Sequence, residues 1–178
     1  AADKCLIFRA DDGAGVFETY FFLNGSACGT NPITIFPDSS YLKFGSGSDL
    51  SLSHNGTNSH IENSTGDLNI INYANDKDVV LQSDDGSGGN TAYLTLDGSA
   101  GHTTVQKEIN FEDSIEATFG ASSDLRIFHN GSHTYLSNQT GDLYIRNQAN
   151  DKDIIFQSDD GSGGNAAYLT LDGSAAET

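Results

Sequence analysis

Apolar and polar residues alternate in short bursts along this chain, and each burst closes on a cluster of Gly, Asn, Asp or Ser. Successive side chains of a strand point to opposite faces, so alternation of this kind marks half-buried strands. Leu50, Leu52 and His54 fall on one face, with Ser51 and Ser53 on the other. Leu125, Ile127 and His129 repeat that face, with Arg126 and Phe128 opposite. Asn55-Gly56 and Asn130-Gly131 follow. Asn-Gly predicts a two-residue hairpin turn, because both positions tolerate positive φ. The pattern predicts further strands over Ser59–Asn63, Asp67–Asn72, Asp78–Ser83 and Ala92–Asp97. The last two flank a glycine-rich turn over Asp84–Gly89. No segment carries a capped helical period, so the expectation is all-β, with antiparallel hairpins dominating.

The bursts themselves recur. Sliding the chain by 75 residues places Phe44–Ala100 on Phe119–Ala175 with 38 identities in 57 positions and no gap. Gln82–Asn90 is identical to Gln157–Asn165, and Tyr93–Ala100 to Tyr168–Ala175. A partial copy opens the chain: Asp11-Asp12-Gly13 matches Asp84-Asp85-Gly86 at an offset of 73, and Tyr20 and Leu23 match Tyr93 and Leu96. By Phe36, matching Phe111, the offset is again 75. The connector and its exit hold the only prolines, Pro32 and Pro37, as a linker or edge segment should. The expected organisation is a partial repeat and connector over 1–35, a full repeat over 36–110 and a second repeat over 111–178, shortened at its connector. The chain is expected to be a window from a longer array, in which one unit cannot bury its apolar face alone.

Composition sharpens this. Leu, Ile, Val and Phe make 40 of 178 residues, just above the level at which a charged chain stops folding alone. With short strands and few apolar residues, separate sheets would leave open edges. Three chains wound into a β-prism would cover them, so a homotrimer is expected; a single-chain β-solenoid is the competing arrangement. The trimer core is expected at Leu50, Leu52, Leu94 and Leu96, with Leu125, Ile127, Leu169 and Leu171 in the second copy. The net charge of −17 repels phosphate backbones and anionic lipid, so neither nucleic acid nor membrane insertion is expected. No apolar run approaches the roughly 18 residues of a membrane span. Cys5 and Cys28 do not recur in the later repeat and are read as unpaired thiols rather than a disulfide framework.

The motifs FGSGSDLSLSHNGTNSHIENSTGDLNI and FGASSDLRIFHNGSHTYLSNQTGDLYI, with DKDVVLQSDDGSGGNTAYLTLDGSA and its copy, resemble the repeats of bacteriophage tail fibres, marine and cyanobacterial ones especially. The resemblance covers nearly the whole chain. It implies a trimeric virion appendage in contact with other tail proteins, whose distal regions adhere to the host cell surface. This segment is then a structural part of its shaft. The opening stretch, with its cysteines and extra aromatics, departs from the pattern. Two other readings stay open. One is a receptor- or glycan-binding module, with Tyr20, Phe21 and Phe22, or Tyr135 and Tyr144, as platforms. The other is a subunit of a different capsid or cell-surface filament.

Site chemistry is sparse. Oxygen atoms crowd the turns at Asp84-Asp85 and Asp159-Asp160, the positions where a divalent cation such as calcium would sit. Their spacing lacks the alternation of an EF-hand loop, so plain hairpin turns are the first reading and no cofactor is expected. His54 and His129 align between copies, and a threefold axis would gather three of either around an ion; a hydrogen-bonded strand-end His is the alternative. Five Asn-x-Ser/Thr sequons, at Asn24, Asn55, Asn63, Asn130 and Asn138, are read as turn chemistry. No nucleophile elbow is present, carboxylate pairs recur on glycine turns that preorganise groups badly, and enzymatic activity is not expected.

Overall fold

The alternating bursts do form strands. The computed structural model describes residues 5–25, 31 and 33–175, and within them the chain is all-β. Sheet one is β1 (Leu6–Asp11), β2 (Phe17–Asn24) and β3 (Ile33–Ile35). Sheet two is β4 (Tyr41–Phe44), β5 (Leu50–His54) and β6 (Ser59–Asn63). Sheet three is β7 (Val79–Asp84), β8 (Asn90–Asp97) and β9 (His102–Val105). Sheet four is β10 (Ala117–Phe119), β11 (Leu125–His129) and β12 (Thr134–Asn138). Sheet five is β13 (Ile154–Asp159) with β14 (Asn165–Leu171). Strand order follows chain order in every sheet, so each is a local meander built from hairpins. The chain divides into two units, Ala1–Val79 with Leu96–His102, and Val80–Thr95 with Thr103–Thr178.

Backbone geometry repeats with the sequence. Ser39 and Ser114 have φ of 63° and 66°, Ser48 and Ser123 59° and 57°, and Asp76 and Asp151 54° and 53°. Non-glycine residues rarely adopt this region, so its recurrence at an offset of 75 shows that the same local hydrogen bonds impose it twice. Gly98 is a second example. Its N–H donates to Asp78 Oδ1 at 3.0 Å, and a Cβ there would collide with the Lys77 carbonyl oxygen. Gly173 stands in the same relation to Asp153 and Lys152. Only a residue without a side chain permits that approach of two backbones.

Two expectations are corrected. The Asn-Gly dipeptides are not the two central residues of their hairpins: strand pairing ends at His54 and Ser59, and the Asn55 N–H donates to the Asn58 carbonyl at 3.1 Å around Gly56-Thr57. Gly56 takes positive φ and Asn55 does not. Asn55 Oδ1 instead accepts the N–H groups of Thr57 and Asn58 at 3.0 and 2.8 Å, an Asx arrangement that outcompetes the mirror-image turn. Asn130 does the same with Ser132 and His133. Second, Asp67–Asn72 is not a strand of any sheet, nor is its counterpart 142–147. The alternation there is that of a strand, but among the described residues no ladder partner reaches it.

The apolar residues remain outside. Among the described residues no hydrophobic side chain is buried, and the two buried residues are Ser51 and Thr95.

Candidate association surface and ion sites

Register decides which side chains share a face. Across β4, β5 and β6, Leu42, Leu52 and Ile61 lie opposite one another, as do Phe44, Leu50 and Asn63. Across β10, β11 and β12 the same rows read Ala117, Ile127, Leu136 and Phe119, Leu125, Asn138. Each sheet therefore carries one continuous apolar face. The reverse face is mixed: Ser51, Ser53 and Glu62 lie on it in sheet two with Tyr41, and in sheet four Arg126 and Ser137 share it with the paired Phe128 and Tyr135. Ser51 Oγ donates to Glu62 Oε2 at 3.3 Å. At the matching position Arg126 meets Glu116 at 3.1 Å, with both side chains about one third exposed. Buried Arg126 Nε has no hydrogen-bond partner.

Burial within the chain runs opposite to the usual sense. Ser51 is buried between Leu50 and Leu52, which are only half-buried. Thr95, with the Gln106 side-chain amide 2.7 Å from its Oγ1, is buried between half-buried Leu94 and exposed Leu96. Of the expected core residues, Leu50, Leu52, Leu94, Leu125 and Leu171 are half-buried, and Leu96, Ile127 and Leu169 are exposed. Leu169 faces Phe156 and Leu171 faces Ile154 across β13 and β14. The pairing of Phe8 with Phe21 and of Leu6 with Leu23 is the first-copy equivalent. Sequence reading missed Leu42, Phe44 and Ile61 as members of this face. The period-2 Leu42 and Phe44, repeated as Ala117 and Phe119 just ahead of a glycine turn, was the signal for two of them.

The acidic turns turn inward on themselves. Asp84 Oδ1 accepts the Gly86 N–H at 2.7 Å. Asp85 Oδ1 accepts the Ser87 N–H and hydroxyl at 2.8 Å each and the Gly89 N–H at 3.1 Å. Asp159 and Asp160 repeat this set, and Asp11 and Asp12 repeat its backbone part. These bonds hold the carboxyls below the ordinary aspartate range: for Asp85 and Asp160 the Ser87 and Ser162 hydroxyls contribute most, for Asp12 the Ala14 amide. Asp97 and Asp172 are lowered likewise, chiefly by the Ala100 amide and the Ser174 hydroxyl respectively.

The aligned histidines are separately engaged. His54 Nδ1 lies 3.1 Å from Ser59 Oγ, and His129 Nδ1 lies 2.8 Å from Asp113 Oδ1. Among the described residues no three His, Cys, Asp or Glu side chains within the chain converge on one point. The sequon asparagines at 55, 130, 63 and 138 bond their own turns; Asn63 Nδ2, for example, donates to the carbonyls of Thr65 and Gly66 at 2.9 Å each. The Cys5 thiol is exposed and 3.6 Å from Asn24 Oδ1; Cys28 lies outside the described residues.

The candidate platforms differ in availability. Phe21 stacks between Phe8 and Phe36, with ring centroids at 4.4 and 5.6 Å, and Phe22 is half-buried. Tyr135 stacks on Phe128 at 4.9 Å, while Tyr20 and Tyr144 are exposed. Within the first unit, an open groove of about 910 Å³ is lined by Glu18, Tyr20, Phe36, Asp38, Tyr41 and Lys43 among others. No family model, curated protein or solved structure was found to match the chain.

Proposed function

We propose that the chain is a structural shaft segment of a phage tail fibre, working as a homotrimer in a virion appendage used for host attachment. Its task is mechanical: it spaces a distal adhesive tip away from the particle, in contact with other tail proteins, and catalyses nothing. The observation that carries this reading is the repeated sheet with an open apolar face, in a chain with no buried hydrophobic residue among those described. A repeat that cannot close its own core gains stability only by association. In the trimer, Leu50, Leu52, Leu94 and Leu96 and their second-copy partners form a shared core closed as a β-prism. The test is the solution mass by light scattering, with and without chelator. A mass of about three times 18.8 kDa that survives the chelator supports a shaft held by apolar packing. A trimer lost only with chelator would move the stability to cations at the acidic turns or at His54 and His129. A monomer would sink the shared core.

The groove beside Tyr20 and Tyr41 favours a second reading, a glycan-binding module of the same appendage. Aromatic faces with carboxylates around them suit sugar rings. Retention of the purified chain on host cells, lost on Tyr41→Ala, would favour that reading.

A further inference from the structure

The stretches 67–71 and 142–146 are exposed and outside every sheet, though their sequence alternates as a strand does. Their backbone N–H and C=O groups meet no partner among the described residues. Both ends of each stretch are nevertheless fixed. Asn63 Nδ2 holds the carbonyls of Thr65 and Gly66, and Asn72 Nδ2 donates to the Asp78 carbonyl at 2.9 Å. Asn138 and Asn147 repeat both anchors. Each copy thus holds out a short segment of strand-like sequence, rich in apolar residues, whose backbone groups are unsatisfied. Such an edge is a template for another strand.

The two copies also distinguish its faces. Leu68 and Ile70 correspond to Leu143 and Ile145, apolar in both and exposed in both, Ile70 by 67% and Ile145 by 54%. The opposite face changes from Asn69, Ile71 and Tyr73 to Tyr144, Arg146 and Gln148. A face that accepts Arg where the other copy has Ile is in contact with water.

The occupant is set by what the repeats leave open. Among the described residues no hydrophobic side chain is buried, and Leu42, Phe44, Ile61 and Leu68 in one repeat and Phe119, Leu136 and Leu143 in the next are each more than a third exposed. Obligate interfaces bury about 2,000–5,000 Å² over both partners and are the more hydrophobic class, and repeated open apolar rows are what such an interface covers. The chain is also made of repeats that present the same surface again, which a second copy matches in register.

We infer that Asp67–Asn72 and Asp142–Asn147 are interchain strands. Each pairs along its backbone with a neighbouring copy of this chain, placing Leu68, Ile70, Leu143 and Ile145 in the shared core and leaving residues 69, 71, 144 and 146 in water. This rests on the self-association proposed above, and adds the seam through which it occurs.

Hydrogen exchange of the wild-type chain, read by mass spectrometry alongside its solution mass, separates the two claims. The expected result is an oligomer in which the amides of 67–71 and 142–146 exchange at least about a hundredfold slower than in an unstructured peptide. An oligomer whose amides there exchange at the unstructured rate overturns the seam and leaves the shaft reading standing. A monomer overturns both. Among variants, Leu68→Asp with Leu143→Asp is expected to reduce the mass to 18.8 kDa, and Ile71→Asp to leave it unchanged. Loss of the oligomer in Ile71→Asp alone would overturn the assignment of faces.

Discussion

The turn at Asp84–Gly89 and the stretch 67–72 lie in the same repeat and use their polar groups in opposite ways. In the turn, two carboxylates take up four local donors, and a second copy reproduces each bond. Every partner is within five residues, so the turn is complete as soon as the local chain folds. In the stretch, backbone groups and apolar side chains alike are left open. The difference separates local structure, which one chain finishes alone, from the core, which it does not. A repeat divided in this way suits an array: the turns fix the shape of each unit, and the faces and open strands join copies.

Breaking that division should produce effects of graded size. The largest is expected from Leu52→Asp, which sets a carboxylate in the middle of the shared apolar row beside Leu42 and Ile61. Burying an unpaired charge is prohibitive, so assembly should be abolished. A soluble Leu52→Asp trimer of correct mass would show that this row is not the core.

Gly98→Ala comes next, because the new Cβ meets backbone rather than a movable side chain. A cost of about 2 kcal/mol should appear as a lower midpoint in thermal denaturation, and Gly173→Ala should match it. No change in either would mean that the close approach relaxes freely.

Asp85→Ala removes one turn's acceptor and leaves the faces untouched, so it should lower the melting temperature less than Gly98→Ala and keep the oligomer mass. The pH dependence follows the same carboxylates. Their folded-state values lie below the ordinary 3.8, so their stabilisation is present in full above that value and is lost as the pH falls through the lower folded-state values. Melting temperature should therefore hold from neutrality to about pH 4.5 and drop below it, with a shallower drop in Asp85→Ala. An equal drop in the variant would place the acid sensitivity elsewhere. The smallest effect is expected from Ile71→Lys, within about 0.5 kcal/mol, measured by the same melts.

Much of the architecture was legible because its signals are local. Leu50, Leu52 and His54 were placed on one face by alternation alone, and the register agrees. The glycine-rich turn and its flanking strands, Val79–Asp84 and Asn90–Asp97, fall where the pattern put them. The errors share a cause. Asp67–Asn72 has the composition of a strand, but pattern reports conformation and not whether a partner lies alongside. Asn55-Gly56 has the hairpin dipeptide, yet its side-chain oxygen chose two amides downstream, a competition invisible in the residue names. Tyr41–Phe44, too short to stand out beside the proline connector, holds Leu42 and Phe44, two of the five apolar residues of that face. Ser51 and Thr95 are buried while their leucine neighbours are not, because burial in one chain depends on which face the local chain covers.

Sedimentation equilibrium of the wild-type chain over falling concentration, with circular dichroism on the same samples, shows whether the strands depend on association. A single species is expected at a fixed multiple of 18.8 kDa, with a β signal that weakens only when dilution dissociates it. A monomer of 18.8 kDa that keeps its full β signal at every concentration would contradict that dependence, since such a chain would be stable with its apolar faces in water.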